Sequence, residues 1–383
     1  MLVVALIFNN CVEPYDYEVE NFDSALVVEA TITDEVRTQQ IKITRSYELD
    51  TTDPKPVMGA NVRLVGDNGS SYIFKDDGTG NYLSSEDFGA SQNINYTLEI
   101  QANGREYASI STQLTPAAAI DDLYAERVED DFGNDGVGIF VDSNTLADEA
   151  YYFQYTFEET YKIQSPYRSD TDLEVVSLTF PYSVKKVDKV KEEYTCYNTL
   201  DSDRIILTST QDLSSGNVQR AEVNFLDRLN PKISRRYSIL VKQYVRTREA
   251  YEFYATLKDL SENESLFTQT QPGLLTGNII SKTNEDEPVL GYFNVSSVSQ
   301  KRIFFNYDDF YDFEDRPGDF IENCEPSAPA VESLVFLLDT GSAKYLKDND
   351  NPQPFDGPYL VVPAACMDCT LLGTNVKPDF WID

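Results

Sequence analysis

Histidine is missing from this chain of 383 residues. That removes Ser-His-Asp and Cys-His catalysis, histidine zinc sites and most acid-base chemistry tuned near neutrality. Cations are scarce too, with Lys+Arg 31 against Asp+Glu 65 and a formal net charge of −34. Nucleic acid and anionic lipid both demand dense cationic patches, so the balance speaks against them. A solvated acidic surface accounts for most of it, and cationic ligands or divalent ions stay open as partners. No apolar run is long enough to cross a bilayer, which takes roughly 20 residues. There are five cysteines and a single tryptophan.

What is present begins at the N-terminus. Residues 2–8 are apolar, then Cys11 opens a polar leader carrying Glu13, Asp16, Glu18, Glu20 and Asp23. This reads as a clipped export signal, residues 1–10, whose true start lies upstream, ending in a lipidated Cys11 and an acidic tether, residues 11–24. An ordinary apolar strand with a buried Cys11 is the plainer reading, and Phe8-Asn9-Asn10 departs from the small residues preferred before a lipidation cysteine. If Cys11 carries lipid, Cys196, Cys324, Cys366 and Cys369 remain. An even number in an exported chain implies two disulfides, of three possible connectivities. Cys366 and Cys369 could join each other only through a tight loop, which favours one bridge reaching back to Cys196. A redox Cys-x-x-Cys or a four-thiolate zinc site would use the same residues but fits a reducing compartment better.

From residue 25 to 116 the signals are β. Leu26-Val27-Val28-Glu29-Ala30-Thr31-Ile32, Gln40-Ile41-Lys42-Ile43-Thr44 and Ala60-Asn61-Val62-Arg63-Leu64 alternate or are β-branched. Asp67-Asn68-Gly69 and Asp77-Gly78-Thr79-Gly80 read as turns. Several short strands at regular spacing imply a sandwich, and Gly59-Ala60-Asn61-Val62-Arg63-Leu64, then Asp77-Gly78, Gly80-Asn81-Tyr82 and Tyr96-Thr97-Leu98-Glu99-Ile100 resemble a carboxypeptidase-regulatory-like, Ig-like β-sandwich, which implies a docking or spacer module.

A second β-rich unit is expected over residues 117–322. Tyr151, Phe153, Tyr155 and Phe157 alternate along one strand, a pattern that favours core packing over a sugar platform. Strands follow at Ile205-Ile206-Leu207-Thr208 and along Tyr237-Ser238-Ile239-Leu240-Val241. One helix is predicted near residues 247–262, capped by Thr247, with Ala250, Phe253, Tyr254, Leu257 and Leu260 on one face. Residues 323–383 form a cysteine-containing C-terminal segment expected to pack on the second unit. The fold class is therefore mainly β.

The best claim to binding chemistry lies between Phe304 and Phe320, where aromatics interleave with acids. Tyr307, Asp308, Asp309, Phe310, Tyr311, Asp312 and Phe313 form the candidate binding surface, weighed against a strand edge with solvated acids. No cofactor is implied. Calcium is an option, but the spacing matches no defined calcium loop, and Asp348-Asn349-Asp350-Asn351 and Asp131-Phe132-Gly133-Asn134-Asp135-Gly136 read better as polar turns.

Tyr237-Ser238-Ile239-Leu240-Val241, Thr247-Arg248-Glu249-Ala250-Tyr251-Glu252-Phe253-Tyr254, Gln271-Pro272-Gly273, Gly277-Asn278-Ile279, Gly291-Tyr292-Phe293, Ser296-Ser297-Val298-Ser299 and Lys301-Arg302-Ile303-Phe304 occur in an order that resembles Bacteroidota outer-membrane lipoproteins called domain of unknown function 4249. Cys11-Val12-Glu13-Pro14, Leu26-Val27-Val28, Cys366-Met367-Asp368-Cys369 and Pro378-Asp379-Phe380-Trp381 extend the resemblance over nearly the whole mature chain. It implies an extracellular-facing, lipid-anchored accessory of a TonB-dependent transporter, with no catalytic residues to carry over. Physically, Gly273, Gly277 and Gly291 are expected at turns or close backbone approaches, and Arg248 and Arg302 in ion pairs. Two other readings compete. One is a free-standing glycan- or peptide-binding adhesin. The other is a carboxylate-based glycoside hydrolase, for which so many acids make chance pairs inevitable.

Overall fold

The computed structural model describes residues 24–46, 54–145, 151–211, 216–262, 275, 277–318 and 320–383. Cys11, its leader and Gln271-Pro272-Gly273 lie outside the described residues.

The chain is mainly β, as the alternation requires. Its first sheet has eleven strands and curls until it nearly closes on itself. Leu26–Thr33, Gln40–Arg45, Asn61–Gly66, Ser71–Asp76, Asn81–Ser84, Asn95–Ala102 and Arg105–Ser109 supply most of it. Alternate residues point inward: Leu26, Val28, Ile32, Ile41, Ile43, Val62, Leu64, Tyr96, Leu98 and Ile100 fill one core. The predicted turns hold, with Gly69, Gly78 and Gly80 all at positive φ.

This sheet does not end at residue 116. Ile279–Ser281 pairs antiparallel with Arg105–Ser109, and Val289–Ser296 pairs parallel with Leu26–Thr33. Ile279, Val289, Phe293 and Val295 thereby join the first core. The physical reason is the edge problem: strands left open at Leu26–Thr33 and Arg105–Ser109 would expose unpaired backbone groups, and the later strands cover them. Where the two added strands meet, the glycines Gly277 and Gly291 let backbones touch. Gly291 sits at φ +95, and a Cβ there would stand 2.0 Å from the Val28 carbonyl oxygen. A Cβ on Gly277 would stand 1.5 Å from the Gly291 carbonyl oxygen.

The second unit encloses one core between two sheets. Asp122–Glu129, Asp135–Ser143 and Val218–Asp227 form the first. The second is built on Tyr152–Gln164, flanked by Thr195–Asp201 and Ile206–Ser209 on one side and by Tyr237–Arg246, then Val298–Phe305, on the other. Tyr151, Phe153, Tyr155 and Phe157 lie in that core, beside Val137, Ile139, Val141, Ile239 and Val241. The aromatic stripe is packing, as its period predicts.

The predicted helix spans Arg248–Glu262 (α1), and the Ala250 N–H donates to the Thr247 hydroxyl at 3.2 Å. Ala250 and Phe253 are buried, whereas Leu257 and Leu260 at the far end of the same face are exposed. A second helix, Val331–Asp339 (α2), lies beyond what the sequence pattern predicts. Its sequence, VESLVFLLD, is only nine residues long with an unbroken apolar run at 334–338, and only Leu334 and Val335 are fully buried. It packs on a hairpin of Thr171–Ser177 and Ser183–Asp188, sharing a small core of Leu173, Leu334, Ala343, Tyr345 and Val361.

The C-terminal segment is tied back covalently. Cys196 bonds Cys369 and Cys324 bonds Cys366, so one bridge does reach back to Cys196. Beside them the Lys344 ammonium donates to both Glu193 carboxylate oxygens at 3.1 Å, and Lys189 pairs with Glu193 at 2.8 Å. Those ions sit largely out of water, where such pairs hold together only with several mutual contacts.

Candidate functional site

The predicted aromatic and acidic stretch does not form an open ring surface. Residues Tyr307–Asp309 and Phe313–Asp315 are two short 3-10 turns, the first of which folds Tyr307 inward. Tyr307 and Tyr311 are buried and stacked at 4.9 Å, and Phe310 packs edge-on against Phe305 at 5.4 Å. The Tyr307 hydroxyl donates to the Asp315 carbonyl at 2.8 Å, and Tyr311 donates to Asp135 at 3.1 Å. Arg127 grips the same Asp135 carboxylate twice at 2.8 Å and lies over the Tyr311 ring. Burial, then the neighbouring Asp135 carboxylate, pushes the Tyr311 phenol up to about 12. The acids turn outward. Asp308 and Asp312 are exposed, and Asp309 caps its own turn by accepting the Asn306 N–H at 2.7 Å. Phe313 alone of the candidate aromatics is open, at 61% exposure. Tyr307, Asp308 and Phe313 border a hollow of about 260 Å³ whose far wall carries Lys162, Arg235 and Arg236.

No three carboxylates or thiols gather in a metal-holding cluster among the described residues. Asp348 instead pairs with Lys186 at 2.6 Å and accepts from the Tyr345 hydroxyl at 2.8 Å. Asp130 closes its own turn through Asn134. Arg248 and Arg302 pair with Glu252 at 2.8 Å and Glu158 at 2.6 Å, as expected.

A larger cleft, of about 600 Å³, opens where the two units meet. Thr247 and, on helix α1, Glu249, Glu252, Phe253 and Thr256 form one wall, and the segment 110–113 of the first sheet forms the other. Its floor is the seam: Gly277, Asn278, Tyr292, Asn294 and Ser296. Phe253 and Tyr292 meet at 5.1 Å, and burial raises the Tyr292 phenol above its ordinary value. Asn294 donates to the Tyr254 hydroxyl at 3.0 Å, which fixes both. Behind Ser296 lies Arg246, only 5% exposed. It donates to neutral acceptors, Ser296 and Gln154 at 2.8 Å each and Thr31 at 3.4 Å. Desolvation lowers its pKa, and the contacts staple strands of both units together.

The cleft offers carboxylates, hydroxyls, amides and ring edges in one concavity, the chemistry of ligand recognition. Sequence reasoning named Thr247 as a cap, Phe253 on a helix face and Gly277 at a close approach, and Glu249, Asn278, Tyr292 and Ser296 only within the segments that carry the family resemblance, without bringing them together. Their convergence depends on the late strands completing the first sheet, and that pairing has no local signature.

The model of one family, Domain of unknown function (DUF4249), matches residues 12–302. The match takes in every wall of the cleft and stops short of Tyr307 and of Cys324, Cys366 and Cys369. No curated protein matches this chain.

Proposed function

This chain belongs to the family of Domain of unknown function (DUF4249), and we propose that it is a lipid-anchored protein of the outer membrane surface that serves a TonB-dependent transporter without catalysis. In this reading it captures substrate or caps the transporter mouth, and the inter-unit cleft is where substrate is held. The observation that carries the proposal is the cleft of about 600 Å³ walled by α1, by segment 110–113 and by the seam. Cavities of that size suit small ligands or a short stretch of polymer. Two disulfides suit an oxidising compartment, and an acidic body suits an exposed surface.

The test is affinity capture of the tagged protein from detergent-solubilised membranes. A TonB-dependent barrel should co-purify, and recovery without one would count decisively against the proposal. Filling the cleft with Thr256→Trp should then lower substrate uptake while leaving the barrel bound. Unchanged uptake would remove the cleft from the proposal.

A further inference from the structure

The hairpin of Thr171–Ser177 and Ser183–Asp188 carries no charged residue from position 175 to 184, on a chain with a net charge of −34. Its tip is open. Val176 is 60% exposed, Leu178 43% and Phe180 88%, and Phe336 of α2, beside Tyr182 at 6.2 Å, is 50% exposed. The remaining tip residues are small hydroxyls and a proline: Ser177, Thr179, Pro181 and Ser183. The Ser177 hydroxyl donates to the Thr179 carbonyl at 2.7 Å, which satisfies the bend locally. The nearest charges on the hairpin itself, Glu174 and Lys185, neutralise each other at 3.0 Å. Glu332 adjoins Tyr182 and marks the polar boundary.

We propose that residues 176–182 form a membrane-contact tip that inserts Leu178 and Phe180 into the interfacial layer of an uncharged lipid bilayer. Size argues for lipid. A stable protein interface takes about 800 Å² from each partner, far more than four exposed side chains at a bend supply, whereas a bilayer needs no matching socket. Charge argues against a second copy, because two strongly acidic bodies repel one another. The same charge disfavours an anionic membrane, while a tip without charge meets a neutral one freely. A phenol at the boundary and aliphatic and aromatic groups beyond it match the depth order of a bilayer interface. The proposal does not depend on lipidation at Cys11 or on a transporter.

The experiment uses the full chain carrying Cys11→Ser, so that no acyl chain contributes, floated with phosphatidylcholine vesicles. The protein should rise with the vesicles, and Leu178→Asp with Phe180→Asp should weaken partitioning by about tenfold or more, with the thermal midpoint unchanged. A separate Phe180→Trp protein should show a blue-shifted emission that brominated lipid quenches. Failure to float, flotation unchanged in the double variant, or emission from the Phe180→Trp protein that brominated lipid leaves unquenched would overturn the proposal. So would flotation that needs anionic lipid and disappears in salt, or retention by a protein partner alone.

Discussion

The carboxamide of Asn278 donates to the Phe293 carbonyl and accepts the Phe293 N–H, both at 2.8 Å. A side chain thus stands in for a strand at the seam of the first sheet, with Asn278 itself buried. Asn278→Ala leaves both Phe293 backbone groups without partners, and an unsatisfied buried polar group costs about 1–3 kcal/mol. Stability should fall by roughly 2–4 kcal/mol in urea unfolding. Asn278→Asp should also fall, because a carboxylate cannot donate to the carbonyl.

Gly291→Ala strains the same seam from the other side. The φ of +95 and the 2.0 Å approach to Val28 both oppose a Cβ. The parallel pairing of Val289–Ser296 with Leu26–Thr33 must open, and a loss of at least about 3 kcal/mol is expected. Hydrogen exchange along the paired amides of Leu26–Thr33 and Val289–Ser296 would report the opening, and unchanged protection there would refute it.

Tyr307 and Phe313 stand close in sequence and should differ sharply on truncation. Tyr307→Ala removes a buried ring stacked on Tyr311 and should cost about 3–5 kcal/mol, whereas exposed Phe313→Ala should stay within about 0.5 kcal/mol. A calorimetric comparison decides it. Equal small effects would return Tyr307 to the surface.

Loss of a bridge should be costly as well. Cys196 and Cys369 are separated by 173 positions, and Cys324 and Cys366 by 42. Cys369→Ser should lower stability by about 2–5 kcal/mol. Non-reducing peptide mapping should recover those two linked pairs, and four free thiols would contradict the pairing.

Asp135 governs an acid limb. Its hydrogen bond from Arg127, first, holds its carboxyl below the ordinary carboxylate range. The stabilisation is therefore complete above about pH 4 and is lost as pH falls through the lowered folded value. Asp135→Asn should flatten the stability profile below about pH 4 while lowering its plateau. An acid limb as steep as the parent's would assign the effect to other carboxylates.

Much of this was legible in the sequence because it is local. Period-two alternation set Tyr151, Phe153, Tyr155 and Phe157 on a core face, Thr247 capped its helix, and the even cysteine remainder closed into two bridges. Helix α2 escaped because it is short and its apolar run at 334–338 cannot be told from a buried strand by periodicity. The inward turn of Tyr307 and Tyr311 escaped for another reason. Aromatics among acids look like an exposed strip until Arg228 donates to the Tyr307 hydroxyl, Asp135 accepts from the Tyr311 hydroxyl and Arg127 covers the Tyr311 ring, all from positions distant in sequence. The cleft was hidden in the same way, since segment 110–113 and residues 247–296 that wall it lie far apart in sequence.

The late completion of the first sheet also sets an order in time. A chain emerging from the ribosome presents Leu26–Thr33 long before Val289–Ser296 exists to cover it. Until then two β edges stand open, and pairings of such long sequence separation form slowly. The N-terminal unit is therefore a last-closed structure, with an interval of vulnerability as long as the synthesis of everything between. A chain ended after Arg246 should collect in aggregates through those edges, even though every residue of the expected 25–116 unit is present.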